Sequence, residues 1–104
     1  MHVHHANEEL IVVLAGRPTL RTLTGERVLE EGEVVACPTG RRGAHRLDNR
    51  GDSPARVLIV STMRAPEINE MVEEGELWLR SYAPGRDPDG AELDVRATPR
   101  NPDG

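Results

Sequence analysis

Glycine and proline punctuate this chain so often that no apolar run can grow beyond the length of a strand. Gly16-Arg17-Pro18, Thr24-Gly25, Glu31-Gly32, the loop Pro38 to Gly43 and the polar turn Arg50 to Pro54 divide the first part of the chain into short segments. Proline cannot donate to a ladder and glycine supplies the backbone angles of tight turns, so these boundaries predict strands. The expected strands are His2–His4, Glu9–Leu14, Thr19–Leu23, Glu26–Leu29, Glu33–Cys37, Ala44–Asn49 and Ala55–Met63. Such spacing indicates an all-β barrel or sandwich. Leu10 to Leu14 is apolar on both faces, as suits a strand lying between the interior and another sheet or subunit. Val57, Leu58, Ile59 and Val60 read as core. After Met63, the spacing of Ile68, Met71 and Val72, with Pro66 before and Gly75 after, predicts one or two turns of helix. Glu76–Tyr82 fits a strand equally well. From Pro84 onward proline, glycine and charge dominate. One domain over residues 1–83 is therefore expected, followed by a flexible tail over 84–104 that holds at most a short strand at Ala91–Ala97.

The first sixteen residues carry the chemistry. Side chains alternate along a strand, so His2 and His4 point the same way with Val3 opposite. The polar segment His5-Ala6-Asn7-Glu8 is short enough to turn the chain back. That makes the two flanking strands neighbours and brings Glu9 beside both imidazoles, on a face shared with Ile11 and Val13. A fourth candidate, His45, opens a strand after the Pro38 to Gly43 loop. Imidazole and carboxylate together suit Fe, Mn, Ni, Cu or Zn. The blander reading is an exposed polar N-terminus and a strand-edge histidine. Parity puts His5 opposite His4 and Glu8 away from Glu9, so both read as surface residues. Arg41 and Arg42, just before His45, could hold an anionic substrate at the mouth of such a site, although solvated loop charges are more common. Cys37 reads as a small buried hydrophobe, Asn49 as a residue ordering a strand end, and Trp78 and Tyr82 as packing residues.

These residues resemble the two motifs of the cupin superfamily. The first, H-x-H, three or four residues, E, six residues, G, is met by His2, His4, Glu9 and Gly16. The second, G, five residues, P-x-G, a short gap, H, three residues, N, is met by Gly32, Pro38, Gly40, His45 and Asn49. The gap from Gly40 to His45 is two residues longer than in the commonest version. The resemblance runs from His2 to about Met63 and implies a cupin-type double-stranded β-helix, or jelly-roll barrel. Such barrels normally have strands ahead of the first motif and a glycine six residues before its first histidine. Only Met1 stands there in this chain, so a barrel lacking its first strands is expected. The resemblance also implies one divalent metal ion on His2, His4, Glu9 and His45. Three histidines and a carboxylate leave an octahedral ion two open positions for substrate, water or dioxygen.

Composition narrows the partners. Thirteen basic residues against 18 acidic ones give a net charge of -5, and the only aromatics are Trp78 and Tyr82. Neither the basic footprint nor the stacking platforms of a nucleic-acid binder are present. No apolar stretch approaches the roughly 20 residues of a membrane helix, and the N-terminus lacks a signal-peptide pattern. A single cysteine, Cys37, permits no internal disulfide and makes a cytoplasmic setting the default. A chain of 104 residues has room for one modest core, so help from a metal or a partner subunit is expected. A barrel short of strands leaves edges to cover, which suggests a homodimer, with exchanged strands as one route.

The expected function is that of a metal-binding small cupin acting as an oxygenase, decarboxylase or isomerase on a small organic molecule. The fold does not choose among these. The alternatives are a non-catalytic module that holds a small ligand, and a remnant that assembles with another chain.

Overall fold

Alternation along one strand sets the architecture. In β2 (Glu9–Ala15) the side chains of Glu9, Ile11 and Val13 point to one face and those of Leu10, Val12 and Leu14 to the other. Ile11 and Val13 are buried, whereas Leu10 and Leu14 are 43% and 53% exposed. The computed structural model describes residues 1–82 and 93–99. Around β2 these residues form β1 (His2–His4), β3 (Thr19–Thr22), β4 (Gly25–Val28), β5 (Val34–Cys37), β6 (Arg46–Asp48), β7 (Arg56–Ser61), β8 (Glu67–Met71), β9 (Glu76–Arg80) and β10 (Asp94–Ala97). A 3-10 turn, Arg41–Gly43, is the sole helical element among the described residues. No helix there is long and apolar enough to cross a membrane.

β2 is the centre of a three-stranded antiparallel sheet, β5-β2-β7. A second sheet runs β1-β8-β9-β10 and a third β4-β3-β6. The last two are joined where His2 and His45 form a bridge, each backbone N–H donating to the other's carbonyl at 3.1 Å. The result is a broad layer, β4-β3-β6-β1-β8-β9-β10, set against the smaller sheet. Between the layers sit Val13, Leu20 and Leu29, flanked by Val35, Leu47 and Val57. Two antiparallel layers closing on one core are the all-β, jelly-roll-type arrangement expected from the sequence.

Several local expectations are corrected. β1 and β2 are not paired: β1 lies against β8, and β2 lies between β5 and β7. The segment His5 to Glu8 therefore crosses from one layer to the other and makes no hairpin. The helix expected around Ile68 is a strand, β8, hydrogen-bonded to β1 and β9. Its helical spacing misled because the buried face is polar, with Glu67 and Asn69 inside and Ile68 39% exposed. Leu58, Ile59 and Val60 are half exposed: Ile59 lies on the inner face of an edge strand, and Leu58 and Val60 lie on the face turned away from the core. Leu58 and Val60 join Leu10, Leu14 and Val34 in an apolar outer surface. Glu76–Arg80 takes the strand alternative as β9. Within the stretch Ala91–Ala97 expected as a short strand, Asp94–Ala97 pairs with β9 as β10. The flexibility expected of residues 84–92 and 100–104 lies outside the described residues.

Leu29 is fully buried in the core between the layers. Leu29→Ala is expected to cost about 2 to 5 kcal/mol, read as a lower urea midpoint at unchanged slope. A loss below about 1 kcal/mol would show that the layers do not close on this residue.

Candidate metal centre

Strand parity places His2 and His4 on the inner face of β1, with Val3 on the other. His45 immediately precedes β6 and is held beside His2 by the backbone bridge. The loop that delivers His45 depends on Gly43, where a Cβ would come within 1.8 Å of the Pro38 carbonyl oxygen. Gly16, the glycine that closes the first motif, has φ +85° and would bring a Cβ to 2.7 Å from the Pro54 carbonyl oxygen. Glu9, the first residue of β2, reaches the imidazoles from the opposite layer.

One atom, Glu9 Oε1, gathers the site. It stands 2.8 Å from His4 Nε2, 3.3 Å from His45 Nε2 and 3.9 Å from His2 Nε2. Ligand atoms of His2, His4 and Glu9 all lie within 4.8 Å of one another. His45 stands outside that tightest group and joins it through Glu9, its ring centred 4.5 Å from that of His2 and 6.3 Å from that of His4. His45 is buried, while the His2 side chain is 37% exposed and forms the open side. Despite its neighbours, Glu9 Oε1 makes no hydrogen bond. A buried carboxylate oxygen facing three imidazole nitrogens with no aligned proton is an arrangement a cation would satisfy. Three nitrogens and one oxygen are a donor set suited to a divalent transition metal.

The protonation states follow from the same contacts. The three imidazoles hold the Glu9 carboxyl far below the usual carboxylate range, outweighing its burial. Burial alone would lower His45, but Cys37, Glu9 and the Gly43 carbonyl, 2.7 Å from Nδ1, more than offset it and push the ring up to about 10. With Nδ1–H donated to that carbonyl, His45 presents Nε2 to Glu9. Cys37 is buried, as expected of a small hydrophobe. As the register partner of Glu9 it also shares the inner face, beside His45.

Behind the candidate ligands lies a polar shell that sequence reasoning missed. His4 Nδ1 is 3.2 Å from Glu67 Oε2 and 2.7 Å from Asn69 Nδ2. Glu67 is fully buried. Burial raises its carboxyl, but donors from Asn7 and Ala6, together with His4, prevail and hold it below the ordinary value. Asn7, read from sequence only as part of a turn, is also fully buried. The available signal was Glu67-Ile68-Asn69, polar and apolar at strand period, hidden by the helical spacing of Ile68, Met71 and Val72.

Other residues singled out by the sequence fall outside this cluster. Arg41 donates to Glu70 at 2.5 Å, and Glu70 is the register partner of Val3, on the face turned away from His2 and His4. Arg42 is exposed. His5 is exposed, 3.4 Å from Glu70. Asn49 orders the end of its strand by donating to the Ser53 carbonyl at 3.0 Å. Trp78 packs between the guanidinium groups of Arg80 and Arg96, 4.3 and 4.7 Å from its ring, and the Tyr82 hydroxyl donates to Asp94 at 3.1 Å.

These shifts set the pH behaviour of the metal-free protein. Glu9, depressed, contributes stability that is present above its ordinary value of 4.5 and lost in acid. His45, raised, contributes stability that is full below its ordinary value of 6.5 and lost as the pH climbs through about 10. The melting temperature without metal should therefore peak between those ordinary values and fall on the alkaline side. A ligating histidine must be neutral, so uptake of a divalent ion near neutral pH should release a proton, measured calorimetrically in buffers of different ionisation enthalpy. Uptake without proton release would show that His45 is not protonated against Glu9.

Comparison with known proteins bears on the family and the fold. The family model described as the cupin domain matches residues 1–61, a span that holds both motifs and all four candidate ligands. No curated protein matches the chain. It superposes on a protein of Acidithiobacillus ferrooxidans ATCC 23270, provisionally named a sugar phosphate isomerase, with a TM-score of 0.76 and 20% identity over 93% of this chain and 56% of the other. It also superposes on a sugar phosphate isomerase from a cupin superfamily, of Silicibacter pomeroyi DSS-3, with a TM-score of 0.75 and 26% identity over 98% of this chain and 62% of the other. The chain thus spans less than two thirds of the length of either structure. With the family match covering more than half its length, the chain belongs to the cupin family.

Proposed function

We propose that this cupin holds one divalent transition metal through His2, His4, Glu9 and His45 and acts with it on a small organic molecule. The observation that carries the reading is Glu9 Oε1, buried and without a hydrogen bond while three imidazole nitrogens converge on it. A bound metal would supply Lewis-acid polarisation of a substrate oxygen. The chain's own residues fix the ligand atoms, keep the Glu9 carboxyl ionised and leave the His2 side open to a ligand.

Among oxygenase, decarboxylase and isomerase chemistry, we favour isomerisation of a small phosphorylated sugar, because both solved relatives are described as sugar phosphate isomerases. An anionic substrate needs a cation near the mouth. Arg42 is exposed and meets no carboxylate among the described residues, whereas Arg41 would have to leave Glu70. Our reading includes a homodimer, supported by the apolar outer face of β5-β2-β7. That face carries a depression of about 390 Å³ lined in part by Leu10, Ala36 and Val60. A cytoplasmic location is also proposed, on the strength of the unpaired Cys37 thiol.

Elemental analysis of untagged protein should find about one transition-metal ion per chain, and His4→Ala and His45→Ala should each abolish it. Added metal at about 100 times Kd should stabilise the wild type by about 2.7 kcal/mol and the two variants hardly at all. Wild-type protein that takes up no metal would end the reading. Interconversion of aldose and ketose phosphates, followed by NMR, tests the chemistry; metal uptake with no turnover would move the assignment to a non-catalytic ligand-binding module. In size-exclusion chromatography with light scattering, the protein should run as a dimer that Leu58→Arg dissociates. A wild-type monomer would count against the dimer.

A further inference from the structure

A carboxylate with no exposed surface is costly unless its lone pairs are taken, and those of Glu67 are divided between two tasks. Oε1 accepts the backbone N–H groups of Ala6 at 2.9 Å and Ile68 at 3.0 Å, which fixes that end. Oε2 accepts from the Asn7 amide and faces His4 Nδ1 at 3.2 Å. Asn7 cannot reverse its amide, because its Oδ1 accepts from the Thr62 hydroxyl at 2.8 Å and the Arg64 N–H at 2.5 Å. The carboxylate is therefore offered in one orientation to the back of a ring whose Nε2 lies 2.8 Å from Glu9.

Asn69 makes the opposite demand on the same nitrogen. Arg80 donates to its Oδ1, and its Nδ2 donates to the Val3 carbonyl at 3.4 Å. Both contacts direct the NH₂ group toward His4 Nδ1, 2.7 Å away. One ring nitrogen thus meets an acceptor that requires its proton and a donor that requires its lone pair. A ring protonated on Nε2, the nitrogen that faces Glu9, turns a bare Nδ1 to Asn69. A ring that gives its Nε2 lone pair to a cation carries its proton on Nδ1, where Glu67 is the acceptor.

We propose, resting on the metal-binding reading above, that Glu67 is the positioning residue of this centre and that Asn69 is its counterpart in the metal-free protein. Glu67 accepts a hydrogen bond from His4 Nδ1–H when Nε2 binds a cation; Asn69 holds the other tautomer when it does not. Neither residue belongs to the two histidine motifs, and both lie beyond the matched residues 1–61.

Glu67→Gln tests the assignment with a directional outcome. The two backbone donors keep the amide oxygen at the position of Oε1, so an NH₂ group replaces Oε2 and confronts His4 Nδ1 with a donor. Zinc affinity of the untagged chain, measured by competition with a chromophoric chelator, should fall about 10- to 100-fold. In ¹⁵N NMR spectra of wild-type protein near pH 8, the His4 proton should sit on Nε2 without zinc and on Nδ1 with it, a movement that a merely structural role would not produce. Wild type that binds no zinc would overturn the metal reading and this proposal together. Wild type that binds zinc, with Glu67→Gln binding it within about twofold, would overturn the Glu67 assignment alone. So would a His4 ring that keeps its Nδ1 proton in both states, or that ligates through Nδ1. If Glu67→Gln does not fold, the two wild-type spectra decide.

Discussion

A carboxylate oxygen on one layer, held 2.8 to 3.9 Å from three imidazole nitrogens on the other, is the constraint around which this sandwich is arranged. Its reach explains why β1 and β2, adjacent in sequence, lie in different layers: only across the gap can Glu9 oppose His2, His4 and His45. The same place is also the seam of the broad layer, because the bridge between His2 and His45 joins β6 to β1. Whatever neutralises the cluster therefore acts on the joint between two sheets as well as on a binding site. The candidate site and the architecture are coupled here through one pair of backbone hydrogen bonds.

The interior is divided in kind. Toward one end, Val13, Leu20 and Leu29 form a small apolar core. Around the histidines the buried groups are polar, namely Asn7, His45, Glu67, Asn69 and Arg80. Such a network specifies orientation when its members are satisfied and is costly when they are not. Most of these are satisfied, and the exceptions are informative. Glu9 Oε1 and Arg80 Nε are the buried side-chain atoms without a hydrogen-bond partner among the described residues. The first lies at the candidate centre, and the second belongs to the arginine that fixes the amide of Asn69. The hydrogen-bonded shell thus runs from β9 through β8 to the back of the His4 ring, giving that ring less freedom than an apolar pocket would.

The strands were legible wherever the interior face is apolar and the turns carry glycine or proline. β2 through β7 follow the turn residues closely, and Glu9, Ile11 and Val13 share a face as alternation requires. Reading failed at β8 because the usual rule was inverted. Ile68 faces out and Glu67 and Asn69 face in, so the apolar residues traced a helical spacing with no helix beneath it. It failed again at Leu58, Ile59 and Val60, whose hydrophobicity records an aptitude for burial but not whether a neighbouring element covers them. Arg41 illustrates a third limit. Its position before His45 suggested the mouth of a site, yet a glutamate far along the chain, Glu70, takes its charge on the other face.

What the amino-acid order determined by itself is local: where turns fall, which side chains share a face, and that His2, His4, Glu9 and His45 occur at spacings fit for ligation. These follow from backbone geometry within a few residues, and they require no knowledge of what packs where. Only the tertiary structure decided that Glu9 would approach from the opposite layer, that a bridge would set His45 beside His2, and that Glu67 and Asn69 would contend for one nitrogen of His4. Those outcomes depend on contacts between residues distant in the chain, His4 meeting Glu67 and Asn69 some sixty positions away. Their energies come from desolvation and hydrogen-bond pairing, quantities that exist only once distant segments have been brought together.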